Sequence, residues 1–434
     1  GSADRLDAAV DRLMPKVRIT ELLAEVASRT GFLCAFPELR SGRAHSNPQA
    51  VLAAILADAT NLGIERMANA SQGVTYAQLA WTHGWYISGE NYAAGLRHLV
   101  DAQAALPLTR VWGDGSTSSS DGQFFRSGRR GAAGTVNARY DREPGQKIYA
   151  HVADTYVPFH MKLLSATTAE APYVLDGLVA HGCGIEPATH YADTGGASDH
   201  VFALAHLLGF RFVPRLRDLA DRKLGVFAGS SRYPALTALI GRPFNVAAIR
   251  ESWDEIIRLA ASVKAGAVLP SVMLRKLAAH RRQNRLDFSL QEVGRIERTL
   301  FTLDWLESKA LRQQCQAGLN KGEARHTLAQ AVFVHKQGRL RDAQFENQAL
   351  KASGLTLVTA AIVYWNTLYM GRAVEHLRER GEPAPDELLA HVAPLGWRHI
   401  SLTGDYLWQN AAADLDRDGY RALNLPNEPG AKVA

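Results

Sequence analysis

The chain has 434 residues, 47% of them apolar and 21% charged, with a formal net charge of +6. That length suits two to four structural units with ample material for a core, and the composition excludes a disordered chain, a collagen and a disulfide scaffold. The mildly basic balance fits a polyanionic partner without identifying one.

The first hundred residues read as helices. Asn47 followed by Pro48 makes an N-cap and first-turn pair, and Val51, Leu52, Ile55 and Leu56 recur behind it at helical spacing, with Gly63 expected to close the helix. Thr75 to His83 and Asn91 to Ala104 look alike. A helical packing layer is expected here ahead of a DNA-reading helix-turn-helix. After Pro107 the period becomes two. Asp121 lies in a first extended segment. Val136, Ala138 and Tyr140 then alternate with polar neighbours, as do Ile148 to Val152 and Val157 to Leu163. Helical spacing returns over Pro172 to His181, ending at Gly182. Thr189 to Asp193 is extended, Ser198 caps a helix closed by Gly209, and Phe210 to Val213 is extended again. Three antiparallel strands followed by helix, strand, helix, strand is the layout of an RNase H-like mixed sheet with flanking helices, an α+β fold. Residues 235–317 read as helical, a second helical block begins near Asn320, and the tail beyond Leu415 is polar.

Cys34, Cys183 and Cys315 are far apart and form no CxxC pair, which reads as free thiols in a reducing compartment. Gly1-Ser2 reads as a cloning remnant, and the chain as a fragment of something larger. The most apolar run, Leu355 to Tyr369, is shorter than the ~20 residues a membrane span needs and is expected to be a buried helix.

Phosphodiester chemistry with Mg²⁺ needs carboxylates brought to one point, because the ion takes hard oxygen ligands. An RNase H-like sheet offers one acid on its first strand, one ending a later strand, and one on a helix. Asp121 occupies the first position, Asp193 ends an extended segment before a helix, and Glu323 lies at an expected helix start, off the stripe of Leu328, Ala331 and Val332. Each alone also reads as a turn, cap or surface acid. Arg126, Arg129 and Arg130 sit in a Gly-rich turn, Arg215 and Arg217 follow the last strand, and Lys321 and Arg325 flank the glutamate. Such groups are the usual source of phosphate contacts, or a solvated charged surface. His181, Cys183 and His190 lack a fourth zinc ligand, and the serine run 116–120 has no visible partner base.

Four phrases carry a family resemblance: residues 112–123 (WGDGSTSSSDGQ), 191–194 (YADT), 203–212 (ALAHLLGFRF) and 319–325 (LNKGEAR). Together they resemble the C-terminal catalytic region of Tn3-family transposases, the enzymes of replicative, cointegrate-forming bacterial transposons, over nearly the whole chain. The resemblance implies an Asp-Asp-Glu triad at Asp121, Asp193 and Glu323, all three being metal ligands, with Asp114 as the competing first acid. It implies Mg²⁺ as cofactor with Mn²⁺ as substitute, transposon-end and target DNA as partners, a homodimer on DNA, no membrane association, and a bacterial cytoplasmic, nucleoid-associated location. The intervals of 72 and 130 residues between the acids imply an insertion before the glutamate. The expected division is a helical scaffold over 3–105, a catalytic domain over 106–234 plus 318–352, a helical insertion over 235–317 and a helical region over 353–434.

Overall fold

The computed structural model describes residues 1–127, 135–136, 144–279, 285–342, 344–408 and 415–425. The amino-terminal layer holds α1 (Ser2–Leu13), β1 (Val17–Arg18), α2 (Ile19–Thr30), α3 (Pro48–Ala59), α4 (Ile64–Asn69), β2 (Ser71–Gln72), α5 (Tyr76–Tyr86) and α6 (Gly89–Ala104). Asn47 caps α3 as expected, its side chain accepting the Gln49 N–H at 3.1 Å. Gly63 does not close that helix. α3 stops at Ala59, and Gly63, at φ 84°, opens α4 instead. The alanine-rich α3 is buried on nearly every face, which makes it packing material and leaves no face to read DNA.

The central sheet comprises β3 (Thr117–Arg126), β4 (Thr135–Val136), β5 (Pro144–Ala153), β6 (Pro158–Ser165), β7 (Thr189–Ala192) and β8 (Arg211–Pro214). β5 lies between β3 and β6 and is antiparallel to both. On its other edge β3 pairs in parallel with β7, and β7 in parallel with β8. The spatial order is therefore β6-β5-β3-β7-β8, with β4 against the start of β5. Of the alternation seen over 136–140, only Val136 falls within the described residues. The helix expected over 172–181 shrinks to a 3₁₀ turn, Ala171–Tyr173, and a single turn, α7 (Asp176–Val179). Gly177 in that turn abuts the His151 ring, which a Cβ would approach to 2.4 Å. α8 (Asp199–Leu208) forms as expected, capped by Ser198 and ended by Gly209 at φ 88°.

The helices α9 (Val246–Glu251), α10 (Trp253–Lys264), α11 (Pro270–Ala279) and α12 (Arg285–Glu307) follow, then α13 (Lys309–Val332) and α14 (Phe345–Glu379). α15 (Asp386–Leu389), β9 (Ile400–Ser401) and β10 (Tyr406–Leu407) complete the chain. Glu323 is thus in the middle of a continuous helix and not at its start. The residue 317/318 boundary expected from sequence falls inside α13, and the 352/353 boundary inside α14. The apolar run 355–369 is the buried centre of α14, packed by α2, α3, α6 and β6. No helix among the described residues is long and apolar enough to cross a membrane. The three cysteines are unpaired.

Candidate active site

The alternation of β3 divides its side chains between two faces. Ser118, Ser120 and Gly122 share one face. Ser118 and Ser120 bond the two ring nitrogens of His190, each at 2.8 Å, and Ser120 also bonds the Tyr149 hydroxyl. A base therefore does stand beside the serine run. Ser118, Ser120 and His190 are all buried, however, so the trio is a satisfied core network that no substrate reaches.

Ser119, Asp121, Gln123 and Phe125 share the other face, which α13 covers. The helix crosses the sheet strand by strand. Cys315 meets the Val213 carbonyl of β8, Gly318 lies on the Tyr191 ring of β7, and Gly322 lies on Ser119 of β3. Gln123 then bonds the His326 carbonyl at 3.0 Å. The glycines remove the side chains that would hold the helix off the strands. Glu323, next to Gly322, is brought over the strand that carries Asp121.

Register places the other acid. Ser120, Ala192 and Pro214 are the last aligned positions across β3, β7 and β8. One residue further, Asp121, Asp193 and Arg215 continue the same row at the carboxyl ends of the two shorter strands. Asp114 lies beyond the other end of the paired stretch. Its exposed carboxylate accepts the Ser116 N–H at 2.9 Å, a turn contact.

The electrostatics show which charges lie near Asp121. Burial, with the nearby charges of Glu170, Asp193 and Glu323, pushes the Asp121 carboxyl up to about 6, against the Gly122 N–H bond at 2.8 Å that favours its ionised form. Asp193 is pushed upward by burial, but the Thr194 N–H and Arg215 outweigh this and hold it below its ordinary value. Its Oδ1 accepts Arg215 Nη2 at 2.8 Å and Nε at 3.1 Å, and Arg217 Nη2 at 3.5 Å. Glu323 is exposed. His326 Nε2 lies 3.9 Å from Asp121 Oδ2, but burial and then Arg325 push its pKa down to about 3, so it is neutral at pH 7 and brings no counter-charge. The three acids share one electrostatic neighbourhood. Among the described residues, however, no three His, Cys, Asp or Glu side chains converge closely enough to hold a metal ion.

The basic residues divide. Arg126 is exposed at the end of β3, and Arg129 and Arg130 lie outside the described residues. Arg215 and Arg217 engage Asp193. Lys321 turns inward, its Nζ donating to the carbonyls of Trp112 at 2.9 Å and Asp154 at 2.8 Å. Arg325 is 1% exposed, and its three guanidinium nitrogens have no hydrogen-bond partner. In this arrangement neither residue offers its charge to solvent.

Sequence reasoning missed Glu170. Its Oε1 pairs with Lys147 Nζ at 2.9 Å, and it sits beneath Gly122, where a Cβ would come within 2.6 Å of Oε1. Gly122 is therefore a mid-strand clearance and not a turn residue. The Asp-Gly dipeptide is the one signal that could have prompted the question.

The Tn3 transposase DDE domain profile matches residues 21–406. The chain is 50% identical over 430 residues to the transposase for transposon Tn501 of Pseudomonas aeruginosa, covering 98% of this chain and 43% of that protein. It is 49% identical over 413 residues to the transposase for transposon Tn21 of Escherichia coli, covering 94% and 42%. With the transposase for transposon Tn1546 of Enterococcus faecium it shares 38% over 427 residues, covering 98% and 43%. The chain thus spans about two fifths of the length of the curated relatives it matches. A profile matched from α2 to β10, most of the chain, establishes that this chain belongs to the Tn3 transposase DDE domain family of polynucleotidyl transferases.

Proposed function

We propose that the chain is the catalytic region of a transposase of replicative transposons, and that Asp121, Asp193 and Glu323 are its acid triad on an RNase H-like sheet. The observation that carries this reading is the row of Asp121 in β3 and Asp193 just past the end of the adjacent parallel β7, with Glu323 near enough on the covering helix to be among the charges that add to burial in raising the Asp121 carboxyl. The chemistry of the donor set fits a hard divalent cation: three carboxylates, once drawn together, would supply oxygen ligands suited to Mg²⁺, with Mn²⁺ as substitute, and the charge crowding at Asp121 is of the kind such an ion relieves. When bound, the ion supplies Lewis-acid polarisation of the scissile phosphate.

The residues of the chain hold and orient. Asp121 and Asp193 at the sheet end, and Glu323 from α13, would hold the cation, and arginine side chains would take the phosphate. In the first reaction water attacks phosphorus at the transposon end, forming one O–P bond as the bond to the 3′ bridging oxygen breaks and a 3′-hydroxyl is released. In the second, that hydroxyl attacks a target phosphodiester, the new O–P bond replacing the target's bond to its own 3′ oxygen. Both are in-line displacements, so one set of carboxylates serves both. Arg126, Arg215 and Arg217 are the described candidates for backbone contacts, with Arg129 and Arg130 beside Arg126 in sequence. We assign residues 106–234 and 318–352 to the chemistry, 235–317 to a helical insertion, and 3–105 and 353–434 to helical support. A homodimer on paired ends in the bacterial cytoplasm belongs to the same reading.

The test is nicking and joining of transposon-end duplexes, uncleaved and pre-cleaved, with Mg²⁺ or Mn²⁺. The parent chain is expected to free a 3′-hydroxyl and join it to target DNA, while Glu323→Gln does neither and melts at the parent temperature. Degradation without joining would make the chain a nuclease. Binding without cleavage by the parent would make it an assembly scaffold.

A further inference from the structure

The row that ends the parallel strands continues past the two aspartates to a cation. Arg215 follows β8 as Asp193 follows β7, and its backbone N–H stays bonded to the Ala192 carbonyl at 2.8 Å. The Thr194 hydroxyl donates to the Arg215 carbonyl at 3.0 Å and ties the two strand ends together. Backbone position is therefore fixed, and only the side chain is left to move.

The side chain grips in an unusual way. Nε and Nη2 both fall on one oxygen, Oδ1 of Asp193, and Arg217 adds a further donor to the same atom. A guanidinium and a carboxylate make their strongest pair through two parallel bonds to two oxygens. The fork on one oxygen is the weaker arrangement. The Arg215 side chain is 29% exposed and that of Arg217 51%. A carboxylate oxygen that already accepts from two guanidinium groups is a poorer ligand for a divalent cation, because their positive charges offset its own and repel the ion. A DNA phosphate is the alternative partner that matches the guanidinium fork.

We propose that Arg215, with Arg217 beside it, is an exchange latch on Asp193: it occupies Oδ1 in the free protein and transfers to a phosphate when duplex DNA arrives, which releases the carboxylate for a divalent cation. The inference rests on the reading of Asp193 as a triad acid. It makes the two ligands reciprocal, because DNA that takes the arginine strengthens cation binding, and the cation strengthens DNA binding by the same factor. It also biases cation capture toward protein already on DNA.

The experiment is Mn²⁺ binding to the full chain, read as free-ion electron paramagnetic resonance, with and without a saturating short duplex. The proteins are the parent, Arg215→Gln, Arg215→Lys, Asp193→Asn and the R215Q/D193N double variant, each checked for an unchanged melting temperature. Without DNA, R215Q is expected to bind Mn²⁺ about 5- to 10-fold more tightly than the parent, with R215K between them, and DNA should tighten the parent but not R215Q. A folded R215Q that binds Mn²⁺ no more tightly, while D193N still weakens binding, overturns the latch alone. So does an equal effect of DNA on parent and R215Q. A gain that survives in R215Q/D193N puts the ion elsewhere and overturns both the latch and the assignment of Asp193.

Discussion

Gly318 of α13 lies flat against the ring of Tyr191 in β7, so close that a Cβ on the glycine would come within 2.3 Å of the ring. That contact sets the height of α13 over the sheet, and with it the position of Glu323 over β3. Gly322 makes the equivalent contact one turn later, but there a Cβ would come within 2.8 Å of the Ser119 hydroxyl, which can rotate.

The two glycines should respond differently to alanine. Alanine gains up to about 1 kcal/mol of helix propensity at either site. At 318 a buried ring must shift, at about 1–3 kcal/mol. Gly318→Ala is therefore expected to lose about 1–2 kcal/mol in urea denaturation and to slow nicking, whereas Gly322→Ala stays at or slightly above parent stability. Equal stability of the two variants would show that the helix is not held at this height by Gly318.

The raised carboxyl of Asp121 makes stability depend on pH. Its folded value of about 6 exceeds its ordinary value of 3.8, so between these limits the folded chain binds more protons than the unfolded one, and this group's contribution to stability falls as pH rises. Asp121→Asn removes that contribution. Its melting temperature relative to the parent should climb from pH 4 to pH 6 and level off above. A difference independent of pH across that window would mean that Asp121 is not held in this protonated, crowded setting.

Lys321 should behave as a structural residue. Its ammonium satisfies two carbonyls and lies 5.3 Å from the centre of the Tyr156 ring. Lys321→Met leaves those carbonyls unpaired and should cost about 1–3 kcal/mol in chemical denaturation. The salt dependence of DNA binding should keep its slope, since no phosphate contact is lost. A slope shallower by about one would restore Lys321 to the DNA interface.

How much of this was legible depended on whether a signal was local. The alternation at Ile148 to Val152, the cap at Ser198 and the stop at Gly209 are local, and they appear in the structure where the sequence puts them. The order β6-β5-β3-β7-β8 is pairing between distant segments, and only the resemblance of its helix and strand sequence to a known layout suggested it. Charge misled at α13. Lys321 and Arg325 read as a basic surface around Glu323, yet Gly318 and Gly322 press that side of the helix onto the sheet and carry the two cations inward. The spacing of 318, 322 and 325 marks that inward stripe, but it is written in glycine and arginine and not in leucine. The pairing of Arg215 with Asp193 was equally hidden, because their adjacency follows from the register of β7 and β8.

The most direct test of the proposed centre compares nicking rates of Asp121→Asn, Asp193→Asn, Glu323→Gln and the triple variant on transposon-end DNA with Mg²⁺. Groups that act as one unit are not additive: removing any one costs about as much as removing all. Each single variant is expected to fall to the residual rate of the triple variant while keeping parent-like folding. Single variants that each lose only a few-fold, with losses that multiply in the triple variant, would contradict a shared centre of Asp121, Asp193 and Glu323.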